Sequence, residues 1–294
     1  MSDNGPRYYD LQQLKASPHI SCLFPDWQQG DERLVILSPH DDDGLLGAGY
    51  VVLAALANGA VVYLCILCDG SAGYSTPNEK ESIVATRRAE TLAAYGVLGL
   101  DEKQILRCDY PDFSLIGYEG WSLPNGSGGS MQRILPLLRH LRATRLLIPN
   151  GKREHIDHEA TERIGRYDGP QVGDRVLADF GLADPIRSTL QYAVWGDLSP
   201  EDALVNGRSP ALRGNRAILA PVTFEERVGA ALRAYRSQAR IIESLLTARR
   251  GRRHRDRWLE VYLALDPRPH LDFGPYHNAI EQIDASHLEQ GAGP

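Results

Sequence analysis

Two short apolar runs, Arg33–Ser38 and Val61–Cys68, bracket a segment with helical apolar spacing, and this constrains the chain more than any other feature. Neither run alternates polar and apolar residues, so each reads as a strand buried on both faces, as in a parallel sheet. Residues 45–58 carry the helical spacing, with Gly59 as a C-cap. The resulting strand–helix–strand unit is the signature of a parallel α/β sheet. The pattern then repeats. Residues 79–95 read as a helix, 104–108 as a strand and 131–143 as a helix carrying Pro136. Residues 145–149 and 191–195 read as further strands, and 224–247 as one long amphipathic helix. Right-handed crossovers between such units predict a three-layer α/β/α sandwich with a mostly parallel, Rossmann-like sheet.

No internal repeat interrupts this pattern. Residues 117–130, which include Gly117, Gly120, Gly126, Gly128 and Gly129, read as a mobile loop, and 167–185 and 197–216 as further loops. None resembles a linker. Residues 1–294 therefore read as one domain, with a core at about 30–200 and a C-terminal helical portion at about 220–266. With 43% hydrophobic and 24% charged residues, the composition is that of an ordinary globular protein. The net charge of −6 argues against a general nucleic-acid surface. No apolar window is long enough for a membrane span, and residues 1–30 lack the pattern of a secretory signal.

Cys65-Ile66-Leu67-Cys68 matches a CxxC pattern, but no second pair completes a structural zinc site. Residues three apart on a strand also point to opposite faces. Cys22, Cys65, Cys68 and Cys108 read instead as structural thiols, and a cytoplasmic location is expected. The six arginines between Arg249 and Arg257 read as a solvated face, or as a contact for an acidic partner, a second subunit or an anionic substrate.

The chemistry sits in two polar clusters, each following an apolar strand. His40-Asp41-Asp42-Asp43 follows the strand ending at Ser38, and His155-Ile156-Asp157-His158 follows the strand ending at Pro149. In open α/β sheets, functional groups gather beyond the carboxyl ends of the strands. Imidazole with carboxylate is a common ligand set for a divalent metal, and two His with one Asp suit a catalytic zinc with an open position. A dinucleotide loop does not fit. Gly44, Gly47 and Gly49 are spaced GxxGxG rather than GxGxxG, and three carboxylates would repel a pyrophosphate. No GxSxG nucleophile motif occurs.

These clusters resemble the motifs of the LmbE-like, PIG-L-type zinc-dependent N-acetylglucosaminyl deacetylases. The family's His-Pro-Asp-Asp-Glu is similar to His40-Asp41-Asp42-Asp43-Gly44, with Asp41 in place of Pro and Gly44 in place of Glu. Its His-Pro-Asp-His is similar to His155-Ile156-Asp157-His158. Cys68-Asp69-Gly70, Arg87-Arg88-Ala89-Glu90, Leu98-Gly99, Pro111-Asp112 and Ala234-Tyr235-Arg236-Ser237-Gln238 resemble further family motifs in the same order.

The resemblance implies that His40, Asp43 and His158 hold one Zn²⁺, or another divalent ion, per chain. It implies that Asp42 is the general base, that a protonated His155 stabilises the oxyanion or acts as an acid, and that Arg87 and Asp112 grip sugar hydroxyls. Asp157 would orient one of the neighbouring imidazoles. The expected reaction is removal of an N-acetyl group from an N-acetylglucosamine-type sugar or glycoside. The alternatives are an amide hydrolase that tailors a natural product or other non-sugar substrate, and a non-catalytic sugar-binding protein. The expected partner is a small amino-sugar molecule, with no nucleic acid and no membrane span, and a homo-oligomer is compatible with the sequence.

Overall fold

The computed structural model describes residues 5–202, 209, 211–266, 268 and 270–291. Along the chain run β1 (Arg7–Asp10), β2 (Lys15–Ser17), β3 (Arg33–Ser38), α1 (Asp43–Ala57), β4 (Val61–Cys68) and α2 (Ile83–Leu98). These are followed by β5 (Ile105–Tyr110), α3 (Met131–His140), β6 (Arg145–Pro149), α4 (Ile156–Gln171) and β7 (Ser188–Tyr192). The chain continues with β8 (Arg216–Pro221), α5 (Val222–Leu232), α6 (Ala239–Arg249), β9 (Arg253–His254), β10 (Arg257–Leu265) and α7 (Gly274–Gly291).

The sheet follows the order β2-β1-β8-β10-β7-β6-β3-β4-β5. Its parallel half, β7-β6-β3-β4-β5, places β3 at the centre, with β4 and β6 on either side. Alternation along β3 sends Leu34 and Ile36 into one core cluster, with Val51, Leu64, Tyr95 and Val228. Val35 and Leu37 enter the opposite cluster, with Leu135, Leu146 and Ile164. Helices α1, α2 and α5 therefore cover one face, and α3 and α4 the other. All four of these β3 side chains are fully buried, which stabilises the fold by about 1.5–3 kcal/mol each. Gly47 lets α1 approach β7, since a Cβ there would lie 2.3 Å from Tyr192 and 2.8 Å from the Ala193 carbonyl.

The expected α/β/α layering with a mostly parallel sheet holds in the core, and β10, β8, β1, β2 and β9 extend the sheet in antiparallel fashion beyond β7. Other sequence expectations need correction. The C-terminal portion is not purely helical, because β10 lies between β7 and β8. The expected helix at 224–247 is two helices, α5 and α6, separated by a 3₁₀ turn at Arg236–Gln238. Helix α4 reaches Gln171, into a stretch read as loop. The loop at 117–130 is closed by its own backbone hydrogen bonds, among them Leu123 to Ser127 and Gly129 to Trp121. Of the loop expected at 197–216, residues 203–208 and 210 lie outside the described residues.

The arginine run is not simply a solvated face. At Ala48 (φ −134°) the α1 backbone leaves the helical region, and the backbone groups on either side take side-chain partners. The Leu46 carbonyl accepts from Arg249 (2.9 Å) and Arg252 (3.0 Å), while the Tyr50 amide donates to Glu260 (2.9 Å). Arg249 is buried and also pairs with Glu225 at 2.7 Å. Arg250, Arg253 and Arg255 are exposed. Among the described residues, no helix is long and apolar enough to cross a membrane.

Candidate metal centre

The turn after β3 and the start of α4 bring the two clusters together at the carboxyl ends of the parallel strands. Strand order reverses here, between β3 and β6, where an open α/β sheet leaves a crevice. The first turn is locked locally: Ser38 Oγ donates to the His40 carbonyl (2.6 Å) and accepts from the Gly44 amide (3.1 Å). Asp42 occupies the N-cap position of α1 and His155 that of α4.

His40, Asp43 and His158 offer ligand atoms that all lie within 4.8 Å of one another. His40 Nδ1 lies 3.0 Å and His158 Nε2 3.1 Å from Asp43 Oδ2. The opposite nitrogen of each ring is held by another carboxylate. His40 Nε2 lies 3.2 Å from Asp157, and His158 Nδ1 lies 2.8 Å from Glu154. With an ion bound in place of the inner protons, these contacts would keep a ring proton on the outer nitrogen of each imidazole and turn the inner lone pairs to the space beside Asp43. Asp157 thus orients His40, a choice the sequence left open.

Two other groups of donors are equally close: His40 with His155 and Asp157, and His40 with Cys68 and Asp112. Both are poorer ligand sets. Asp157 already accepts from the Phe113 and Leu115 amides, and Asp112 from the Gly70 and Ala72 amides. Cys68 is buried beneath the site, and burial followed by the charges of Asp157 and Asp112 drives its thiol far above the ordinary range. A register shift between Ile66 and Cys68 explains why Cys65 and Cys68 share one core cluster despite their spacing. Cys65 instead faces Cys108, with Sγ atoms 3.9 Å apart.

The electrostatics favour a cation. Burial disfavours a charged His40, yet Asp157 and Asp43 outweigh it and raise the ring to about 10. His158 is likewise raised to about 9, against burial, by Asp43 and Glu154. Burial would raise Asp43, but His158 and His40 hold it well below the carboxylate range. The donor set thus fits a divalent ion, which would replace the imidazole protons, so affinity should fall as pH drops.

Asp42 pairs with a cation on α2. Its Oδ1 accepts from Arg87 Nη2 at 3.2 Å. Burial raises its pKa; Arg87 opposes the rise and Asp43 adds to it. Asp41 explains its own departure from the family motif. It is fully buried and accepts from Arg87 Nε (3.0 Å), Thr91 Oγ1 (2.6 Å) and Arg107 Nη1 (2.6 Å). Gly44 is explained by Tyr95, whose hydroxyl would lie 2.7 Å from any Cβ at that position.

Arg87 lines the cavity, as expected, but its Nε and Nη2 are committed to Asp41 and Asp42. Asp112 also lines it, with both oxygens fixing the turn after β4. Gly70 in that turn has φ +79°, which favours glycine. Glu90 does not pair with Arg87. It accepts from Ser237 N and Oγ and so anchors the turn that carries Gln238, another lining residue.

His155 Nδ1 accepts from the Asp157 amide (3.2 Å), so its proton sits on Nε2. Burial and the nearby His40 lower its pKa. The sequence reading expected a protonated His155; with Nδ1 accepting, the neutral ring also presents an Nε2–H donor. The sequence reading also missed Glu154, Phe113, Trp195 and Ile241, although Glu154 stands four residues before His158, on the same side of a helix start. Together these groups line a cavity of about 270 Å³.

Residues 35–167 match the family model described as PIG-L, GlcNAc-PI de-N-acetylase. No curated protein matches the chain. Among solved structures, the chain resembles the N,N'-diacetylchitobiose deacetylase of Pyrococcus horikoshii, at 16% identity and TM-score 0.62, covering 84% of this chain and 90% of that one. It resembles the A40926 pseudoaglycone deacetylase Dbv21 at 18% identity and TM-score 0.57, covering 83% and 100%. It also resembles GalB of Pseudomonas putida KT2440, a 4-carboxy-2-hydroxymuconate hydratase, at 14% identity and TM-score 0.58, covering 82% and 99%. At such identities these likenesses show the fold alone, and the hydratase among them illustrates that one fold hosts different reactions.

Proposed function

We propose that this chain, whose residues 35–167 match the PIG-L family model, is a metal-dependent hydrolase that removes an N-acetyl group from an amino sugar or its glycoside. The observation that carries the reading is the convergence of His40 Nδ1 and His158 Nε2 on Asp43, with Asp42 alongside. Zinc or a similar ion held there would polarise an amide carbonyl and acidify a water.

The chain's own residues divide the remaining work. Asp42, raised by burial and aimed by Arg87, takes the proton from the attacking water and delivers it to the departing amine. His155 donates Nε2–H to the carbonyl oxygen as negative charge develops. Water's oxygen bonds to the carbonyl carbon, the C–N bond breaks, and acetate and the free amine leave. Arg87 Nη1 and the lone pairs that Asp112 keeps beyond its two amide contacts are offered to sugar hydroxyls.

The cavity of about 270 Å³ lies just under the usual ~300–1,000 Å³ of ligand pockets, a size suited to one sugar ring and its acyl group. Phe113 and Trp195, 62% and 61% exposed at the cavity, favour substrates with an apolar or aromatic portion, including glycosylated natural products. The test is a panel of free and aryl-substituted N-acetylated sugars, read by amine release with zinc supplied. Turnover restricted to acyl groups on non-sugar amines would shift the reading to the tailoring alternative.

A further inference from the structure

Glu154 is a buried carboxylate of the cavity that the reaction above does not use. Its side chain is fully buried at the start of α4. Oε2 lies 2.8 Å from His158 Nδ1. Oε1 accepts three successive backbone amides of the loop after β7: Val194 (3.0 Å), Trp195 (3.1 Å) and Gly196 (3.0 Å). One carboxylate therefore joins a metal-facing imidazole to the segment that carries Trp195, whose exposed ring lines the cavity.

The chemistry at each oxygen is restrictive. An ionised carboxylate only accepts, so His158 must present Nδ1–H to it and keep its Nε2 lone pair toward Asp43 and the metal. Three convergent amides form a small anion-binding nest, which holds the loop only while an acceptor fills it. Without that acceptor, three amide donors lose their partner, and the loop that presents Trp195 at the mouth loosens.

We infer that Glu154 is a positioning residue that sets both the metal-facing orientation of His158 and the stance of Trp195, and that Trp195 makes the site select substrates with an aromatic face. The inference rests on the hydrolase reading for its substrate, but not for its metal measurement.

Three variants separate the parts. In Glu154→Gln, the amide oxygen can fill the nest while the NH₂ group faces His158 Nδ1 and forces the ring proton onto Nε2. Zinc affinity, measured by competition with a chromophoric chelator, should fall about 10- to 100-fold, the usual cost of losing such a partner. The preference for an aryl N-acetylglucosaminide over free N-acetylglucosamine, read as the ratio of kcat/KM, should persist. Trp195→Ala should keep parental zinc affinity and lose that preference, chiefly through a higher KM for the aryl compound. Glu154→Ala should lose both, with circular dichroism reporting whether it is folded. Parental zinc affinity in Glu154→Gln overturns the tautomer role, and parental aryl preference in Trp195→Ala overturns the selection role. If the parent turns over neither sugar, the hydrolase reading fails while the zinc titrations still decide the role of Glu154.

Discussion

At the scale of single residues, the site divides its carboxylates by their partners. Asp43 is held low by two imidazoles and suits a ligand, while Asp42 is raised by burial and suits proton transfer. Asp42→Asn should retain one equivalent of metal and lose about 10²–10⁴ in turnover. His155→Ala should also retain metal and lose on the order of 10²–10³ in kcat. Because the ring acts neutral, its pH–rate profile should keep the parental alkaline limb. Metal loss in His155→Ala comparable to that in His158→Ala would make His155 a ligand. The candidate ligand motifs were legible because each lies within a few residues of sequence. The partners were not: Glu154 is a local neighbour, but what it holds at 194–196 comes from a distant loop. The partners of Asp41 were not legible either, because Arg107 and Thr91 reach it only through tertiary packing.

At the scale of elements, the strands of the parallel core were readable because double-sided burial leaves uninterrupted apolar runs. The antiparallel strands were not. β1 and β2 are short and partly exposed, and β10 mixes Glu260 and Tyr262 into its run. The break between α5 and α6 escaped notice because residues 233–238 keep helical composition. It is set by contacts instead: Tyr235 donates to the Asp41 carbonyl (2.6 Å), Gln238 to Gly73, and Ser237 to Glu90. Glu90→Ala removes the acceptor for two Ser237 donors, one of them a backbone amide. It should destabilise the fold by roughly 1–3 kcal/mol in denaturant titration and raise KM, because Gln238 lines the cavity. Unchanged stability and KM would show that the turn holds without Glu90.

At the scale of the whole molecule, two buried carboxylates tie stability to pH in opposite directions. Burial would raise Glu32, but Arg145, Thr144 and the Gln28 amide hold it at about 2, below its ordinary 4.5. Its contribution is present above about 4.5 and is lost as pH falls toward 2. Asp168 on α4 is raised to about 7 from 3.8 by burial and by Glu119, and its Oδ2 has no partner. Between those values the unfolded chain loses its proton first, so this residue costs stability as pH climbs from about 4 to 7. Asp168→Asn should therefore be more stable than the parent at pH 7 by on the order of 1 kcal/mol or more, with the gain vanishing toward pH 4. A difference that does not change with pH would contradict this assignment.

The central claim, a metal-dependent N-deacetylase, is met most directly by following acetate release from an N-acetylglucosaminide before and after metal removal. The zinc-loaded protein should release acetate and free amine in equal amounts, lose that activity on dialysis against a chelator, and regain it with one equivalent of zinc. Turnover that persists at the parental rate in metal-free protein, or loaded protein that releases no acetate from any N-acetylated sugar or glycoside, would contradict the account.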